Sequence, residues 1–168
     1  MNRSERDRGL IEKLRKRQIR LVLAESCTGG MAAAQLTGIS GASEVFCGSM
    51  VTYRESVKTE WLGVSEEMLS QHSAVSAEVT LAMARAALKA TAEASLAAAI
   101  TGHLGPDAPE ELDGILFAAI LCREAQALDS GAVPSPRPIQ HRLQETGRAA
   151  RQQEAADFLL DWIAKSLK

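Results

Sequence analysis

Four apolar residues, Leu21 to Ala24, run up to Glu25; Ser26, Cys27, Thr28 and two glycines follow, and then the helix-forming run Met31 to Leu36 begins. The pattern predicts a strand over 20–24, a tight turn, and a helix over about 30–36. A strand that turns straight into a helix commits a chain to sheet–helix layers. It also marks a place for chemistry, because ligands gather where a strand's carboxyl end meets a helix N-terminus.

The rest of the chain extends this β–α unit. A first helix is expected over about 4–17, with Leu10, Ile11 and Leu14 as its apolar stripe. A second strand is expected over 45–52, interrupted by Gly48 and Ser49, where an internal glycine signals a bulge or a close approach. Thr52 to Glu55 fits the capping-box pattern for a short helix that Gly63 ends. A further short helix is expected over 65–70. Ser76 is placed as the N-cap of a long buried helix over 77–91. Continuous apolar runs at 95–101 and 114–122 read as interior strands joined by a loop with two prolines. A Pro/Gly/Ser-rich connection over 125–138, an edge strand over 138–145 and a final helix over 148–167 complete the series. With neither a repeat nor a domain boundary, the fold class expected is α/β: a single three-layer α/β/α domain over 1–168, built on a mixed sheet.

Composition narrows the function. A net charge of −2 argues against nucleic acid as a partner, and the basic stretch around Arg15, Lys16 and Arg17 reads as a solvated helix face. No apolar run reaches the ~20 residues of a membrane span, and the charged N-terminus lacks a signal-peptide core. Cys27, Cys47 and Cys122 show no CxxC spacing, and His72, His103 and His141 no ligand spacing. Neither a metal nor a cofactor is therefore expected, and the chain reads as a reduced, cytoplasmic protein. The histidines are assigned structural or exposed positions, and Cys47 and Cys122 inert core ones.

At the first turn Ser26, Cys27 and Thr28 all carry nucleophilic side chains. The amides near Thr28 to Met31 would point into the same space, where they and the helix end can stabilise an oxyanion or a phosphate. Neither a P-loop nor a GxSxG elbow is present. An ordinary capped turn remains an equal reading of these residues alone. Tyr53, the only tyrosine, follows a strand directly. Lys58 lies five residues on, ~140° away on a regular helix, so the two converge only if Tyr53 precedes the helix proper. Thr101-Gly102 closes another strand at the same sheet edge. Arg148 and Arg151 open the last helix, an unfavourable place for cations by the dipole alone, which points to an anionic partner.

Together these segments resemble the C-terminal domain of the competence/damage-inducible protein A (CinA) family, whose stand-alone members include nicotinamide mononucleotide deamidases. The matching stretches are Ala24-Glu25-Ser26-Cys27-Thr28-Gly29-Gly30, Gly48-Ser49-Met50-Val51-Thr52-Tyr53, Lys58, Leu62-Gly63-Val64, Ala74-Val75-Ser76 and Thr101-Gly102. Order and spacing agree over about residues 5–120. The resemblance implies hydrolysis of the carboxamide of nicotinamide mononucleotide to nicotinate mononucleotide and ammonia. It implies Ser26 as nucleophile, Lys58 as base and Tyr53 as its assistant. Thr28, Gly29, Gly30, Ser49, Thr101, Gly102 and Arg148 would hold the substrate, and a homodimer is the expected assembly. The chain departs from the family after Thr101-Gly102: His103-Leu104-Gly105-Pro106-Asp107-Ala108-Pro109 stands where a glycine-rich loop is usual. Two other readings stay open, a non-catalytic nucleotide-binding or regulatory module and an amidohydrolase with a different substrate.

Overall fold

The computed structural model describes residues 2–123 and 137–167. Its elements are α1 (Arg3–Lys16), β1 (Leu21–Glu25), α2 (Met31–Thr37), a 3₁₀ turn (Ala42–Glu44), β2 (Phe46–Val51) and α3 (Glu55–Leu62). There follow α4 (Glu66–His72), α5 (Ala77–Ala90), β3 (Leu96–Gly102), β4 (Ile115–Cys122), β5 (Arg137–Arg142) and α6 (Arg148–Ser166). The expected connection over 125–138 lies mostly outside the described residues.

The five strands form one sheet in the order β2-β1-β3-β4-β5. The β1 strand pairs parallel with β2 and β3, whereas β3–β4 and β4–β5 are antiparallel. The sheet is therefore mixed, as expected, and helices cover both faces. On one face Leu10, Leu14, Leu36, Leu159 and Ile163 of α1, α2 and α6 pack on Leu21, Leu23 and Ile100. On the other, Val79, Met83 and Ala87 of α5 and Leu62 of α3 pack on Val22, Ala24, Ala97 and Ala99. The alternation along β1 sends successive side chains to opposite layers, so this strand is buried on both faces. Among the described residues no helix is long and apolar enough to cross a membrane.

Local signals set most boundaries. Asn2 and Glu5 form a reciprocal capping box on α1, and Ser65 and Ser76 cap α4 and α5 by accepting from Met68 N–H and Val79 N–H. Gly63 closes α3 at φ +63°. The interruption expected in β2 is a bulge: Leu21 pairs with Phe46 and Val22 with Gly48, leaving Cys47 over. One expected cap does not form. The N-cap of α3 is Arg54, with no side-chain bond, because the chain stays extended through Thr52 and Tyr53 before the helix begins.

Candidate functional site

Ser26 stands immediately beyond β1, and its N–H donates to Ile100 O at 3.1 Å, continuing the ladder to β3. On the other side Thr52 N–H donates to Glu25 O at 2.8 Å, so β2 delivers Thr52 and Tyr53 to the same sheet edge. From there α3 turns back over the edge and buries Lys58, which is only 2% exposed. Its Nζ donates to Ser26 Oγ at 2.9 Å and to Thr52 O at 2.7 Å. Burial holds the Lys58 ammonium below its ordinary pKa, partly offset by neighbours that include Glu55. When Lys58 is neutral, the Thr52 carbonyl still takes one N–H, and the lone pair is free for the Ser26 proton.

Ser26, Lys58, Tyr53, Gly102 and Arg148 line one open cleft of about 360 Å³. The condition set by the five-residue spacing is met, because α3 starts at Glu55 and leaves Tyr53 ahead of it. Tyr53 is more than half exposed, and its hydroxyl accepts from Arg148 Nη2 rather than bonding to Lys58 or Ser26. Arg148 Nη1 donates to Gly105 O at 2.7 Å, joining the first turn of α6 to the loop after β3. The far wall consists of that loop, from His103 to Pro109, and Asp107 and Glu55 supply carboxylates.

The other residues expected to hold substrate lie outside the cleft lining. Thr101 is fully buried and pairs with Thr80 Oγ1 at 2.7 Å, facing α5. Ser49 Oγ donates to Glu25 Oε1 at 2.9 Å. Thr28 is fully buried, and its Oγ1 has no partner among the described residues. Gly29 and Gly30 shape the turn, with φ of +61° and +93°, a region a Cβ disfavours.

The amides at the start of α2 are not the open donor set expected from the sequence. The Glu25 carboxylate, fully buried, accepts from the N–H groups of Gly30 and Ala32 at 3.1 Å and of Ala33 at 3.0 Å. An anion already sits at this helix N-terminus, and it is the protein's own. The Cys27 and Thr28 N–H groups are different: among the described residues neither donates to an acceptor. Both lie against the Cys27 thiol.

Cys27 is buried, and desolvation pushes its thiol up to about 12. Its Sγ lies 3.1 Å from where a Cβ on Gly102 would stand, so glycine there makes room for it. Lys58 Nζ bonds Ser26 Oγ and not the Cys27 thiol, which separates the two side chains.

Sequence reasoning misses Gln152 and the partner that Arg151 takes within the chain. Gln152 Nε2 donates to Thr28 O at 3.1 Å and approaches Cys27 O at 3.4 Å, holding the turn from α6. Arg151 makes a two-toothed contact with Asp113, at 2.7 and 2.8 Å, and fixes the root of the loop. Arg148, Arg151 and Gln152 share a helix face, as residues three and four apart do. For Glu25 a signal existed, since an acidic residue closing an apolar strand just before a helix can cap that helix.

The family model of the CinA C-terminal domain matches residues 4–167. A CinA-like protein of Syntrophobacter fumaroxidans is 38% identical over 153 residues, 90% of this chain and 34% of that protein. One of Myxococcus xanthus is 41% identical over 113 residues, 66% of this chain and 27% of that protein. The chain thus spans about a quarter to a third of the length of these curated relatives. Solved structures agree along almost the whole chain. A CinA superfamily protein of Klebsiella pneumoniae has a TM-score of 0.86 at 28% identity, covering 98% of this chain and 97% of that one. The competence/damage inducible protein CihA of Agrobacterium tumefaciens also gives 0.86, at 30% identity, covering 98% and 94%.

Proposed function

Since the chain belongs to the CinA C-terminal domain family, we propose that it is a serine amidohydrolase that converts nicotinamide mononucleotide to nicotinate mononucleotide and ammonia. The observation that carries the reading is the buried contact of 2.9 Å between Lys58 Nζ and Ser26 Oγ at the floor of the cleft. A serine hydroxyl is a weak nucleophile until a base removes its proton, and a lysine acts as that base only when its pKa is depressed. Burial supplies the depression.

The contact between Ser26 and Lys58 supports the following steps. Neutral Lys58 takes the Ser26 proton as Oγ attacks the carboxamide carbon, and the carbonyl oxygen becomes an oxyanion. The Lys58 ammonium then gives its proton to the departing nitrogen, which leaves as ammonia, and an ester on Ser26 remains. Water attacks this ester, with Lys58 again taking the proton, and the product carboxylate and free Ser26 are released. Thr52 O steers Lys58 throughout.

Incubating the protein with nicotinamide mononucleotide should release ammonia and nicotinate mononucleotide in equal amounts. Ser26→Ala should lower kcat by ~10³-fold or more, as loss of a nucleophile does elsewhere. A folded wild-type protein without turnover overturns the proposal. Near-normal activity in the alanine variant removes Ser26 as the nucleophile.

A further inference from the structure

Glu55 opens α3, and Lys58 follows one helical turn later on the same face, a spacing that starts two side chains about 5–6 Å apart. Both line the cleft with Ser26. The helix dipole favours an acid in a first turn. The Glu55 carboxylate, however, takes no further part in its helix or in the rest of the fold. Among the described residues no hydrogen bond or salt bridge reaches it, whereas Asp113 and Asp157 are held by arginines. Its charge is nonetheless felt at the base: burial lowers the Lys58 pKa, and Glu55 is among the neighbours that oppose the fall. An exposed, unpaired carboxylate therefore stands in the cleft beside the base.

The chemistry of the substrate says what that charge can meet. With the carboxamide carbon against Ser26 Oγ, the ring that bears it lies beside Lys58. In nicotinamide mononucleotide this ring is a pyridinium, whose glycosylated nitrogen, meta to the carboxamide, carries a fixed positive charge. The cleft already contains two basic side chains, Lys58 and Arg148, so a further cation there is repelled unless a carboxylate offsets it. Two carboxylates line the cleft. Asp107 belongs to the far wall, whereas Glu55 stands on the helix that carries the base. Ala74 and Val75 add apolar lining suited to the flat ring.

We propose that Glu55 pairs with the pyridinium cation of the bound nucleotide, making it a determinant of specificity for the oxidised, positively charged nicotinamide ring over the reduced, uncharged one. This rests on the amidohydrolase reading for the placement of the carboxamide. The cationic ring in turn gives the unpaired carboxylate its partner.

Calorimetric titration of the Ser26→Ala protein separates binding from turnover. Nicotinamide mononucleotide and its reduced dihydro form serve as the probes, since they share the carboxamide, ribose and phosphate and differ in the charge of the ring. The oxidised form should bind more tightly. Adding Glu55→Gln, which keeps the shape and removes the charge, should weaken the oxidised form and cut the preference for it by ~5-fold, the loss expected of an ion pair in an open site. Glu55→Asp, which keeps the charge on a shorter arm, should retain more of the preference than Glu55→Gln. The proposal is overturned if Glu55→Gln changes the preference by less than ~2-fold or leaves the oxidised form as tightly bound. It is also overturned if Glu55→Asp loses as much preference as Glu55→Gln, or if the Ser26→Ala protein binds neither ligand. Should the wild-type protein release no ammonia while the preference still depends on Glu55, the hydrolytic reading falls and this one stands. Should it release ammonia while the preference ignores Glu55, this one falls and the hydrolytic reading stands.

Discussion

At the scale of single residues, the cleft is governed by the burial of Lys58. Its folded pKa lies below the 10.5 of an ordinary lysine, so between the two values the unfolded chain holds the extra proton. Stability therefore rises with pH across that window and levels off above it, the reverse of a lysine that gains an acidic partner. Lys58→Met should remove this dependence while abolishing turnover. At pH 7 it should raise Tm by ~2–4 °C if relief of desolvation exceeds the two lost hydrogen bonds by about 1 kcal/mol. Thermal unfolding from pH 6 to 10.5 checks both points, and a lower Tm would show that the bonds to Ser26 and Thr52 prevail. The pairing itself was only partly legible. Ser26 and Lys58 are named by their resemblance to family motifs, whereas spacing left Lys58 an ordinary surface lysine. Only the parallel pairing of β1 with β2, followed by the return of α3, brings the two together. Gln152 carries no local signal, since the carbonyls it holds belong to Cys27 and Thr28 at the other end of the sequence.

Among the elements, α2 is the one whose reading changed most. It has seven residues and no side-chain cap of its own, too short to hold alone. Glu25 supplies the cap from the preceding strand, reaching over the turn to three amides and to Ser49. The sequence reading ended the strand at Ala24, one residue short, and so treated those amides as open to a ligand. A cap made within four residues, such as Ser76, was legible; the one that Glu25 makes across a turn of five was missed. Glu25→Ala should cost ~2–4 kcal/mol, several buried donors being left unpaired at once. Urea denaturation measures this, and a cost below ~1 kcal/mol would show that water replaces the carboxylate. Glu25→Gln, which keeps an acceptor, should lose less than the alanine variant.

Over the whole molecule, the layers are tied together by charge as well as by apolar packing. Asp157 of α6 accepts from Arg3 and Arg6 of α1, each at 2.9 Å, while Arg6 also reaches Gln35 of α2 at 2.9 Å. Burial alone would raise the Asp157 carboxyl, but the two guanidinium groups outweigh it and hold it below its ordinary value. A depressed acid stabilises the fold above its unfolded pKa, and that contribution disappears as pH falls through the folded one. Asp157→Asn should therefore cost about 1 kcal/mol at pH 7, a value reduced by partial exposure, and less at pH 2. Denaturation at the two pH values tests this, and an equal cost at both would assign the effect to packing. The mixed sheet and the helices on both faces followed from the order of the segments. The salt-linked seam of α1 with α6 did not, because it joins residues about 150 positions apart.

The position of α6 also has a consequence in time. Ser26, Tyr53 and Lys58 lie within the first 58 residues of the chain, and β1, β2 and α3 carry the contact between Lys58 and Ser26. Arg148 and Gln152, which steady Tyr53 and the turn after the nucleophile, leave the ribosome after every other part of the cleft. During synthesis the residues of this pair are therefore made well before those of α6 that reach the cleft. The last helix to be made is thus the one that closes the cleft, through Arg148 on Tyr53 and Gln152 on the turn after Ser26.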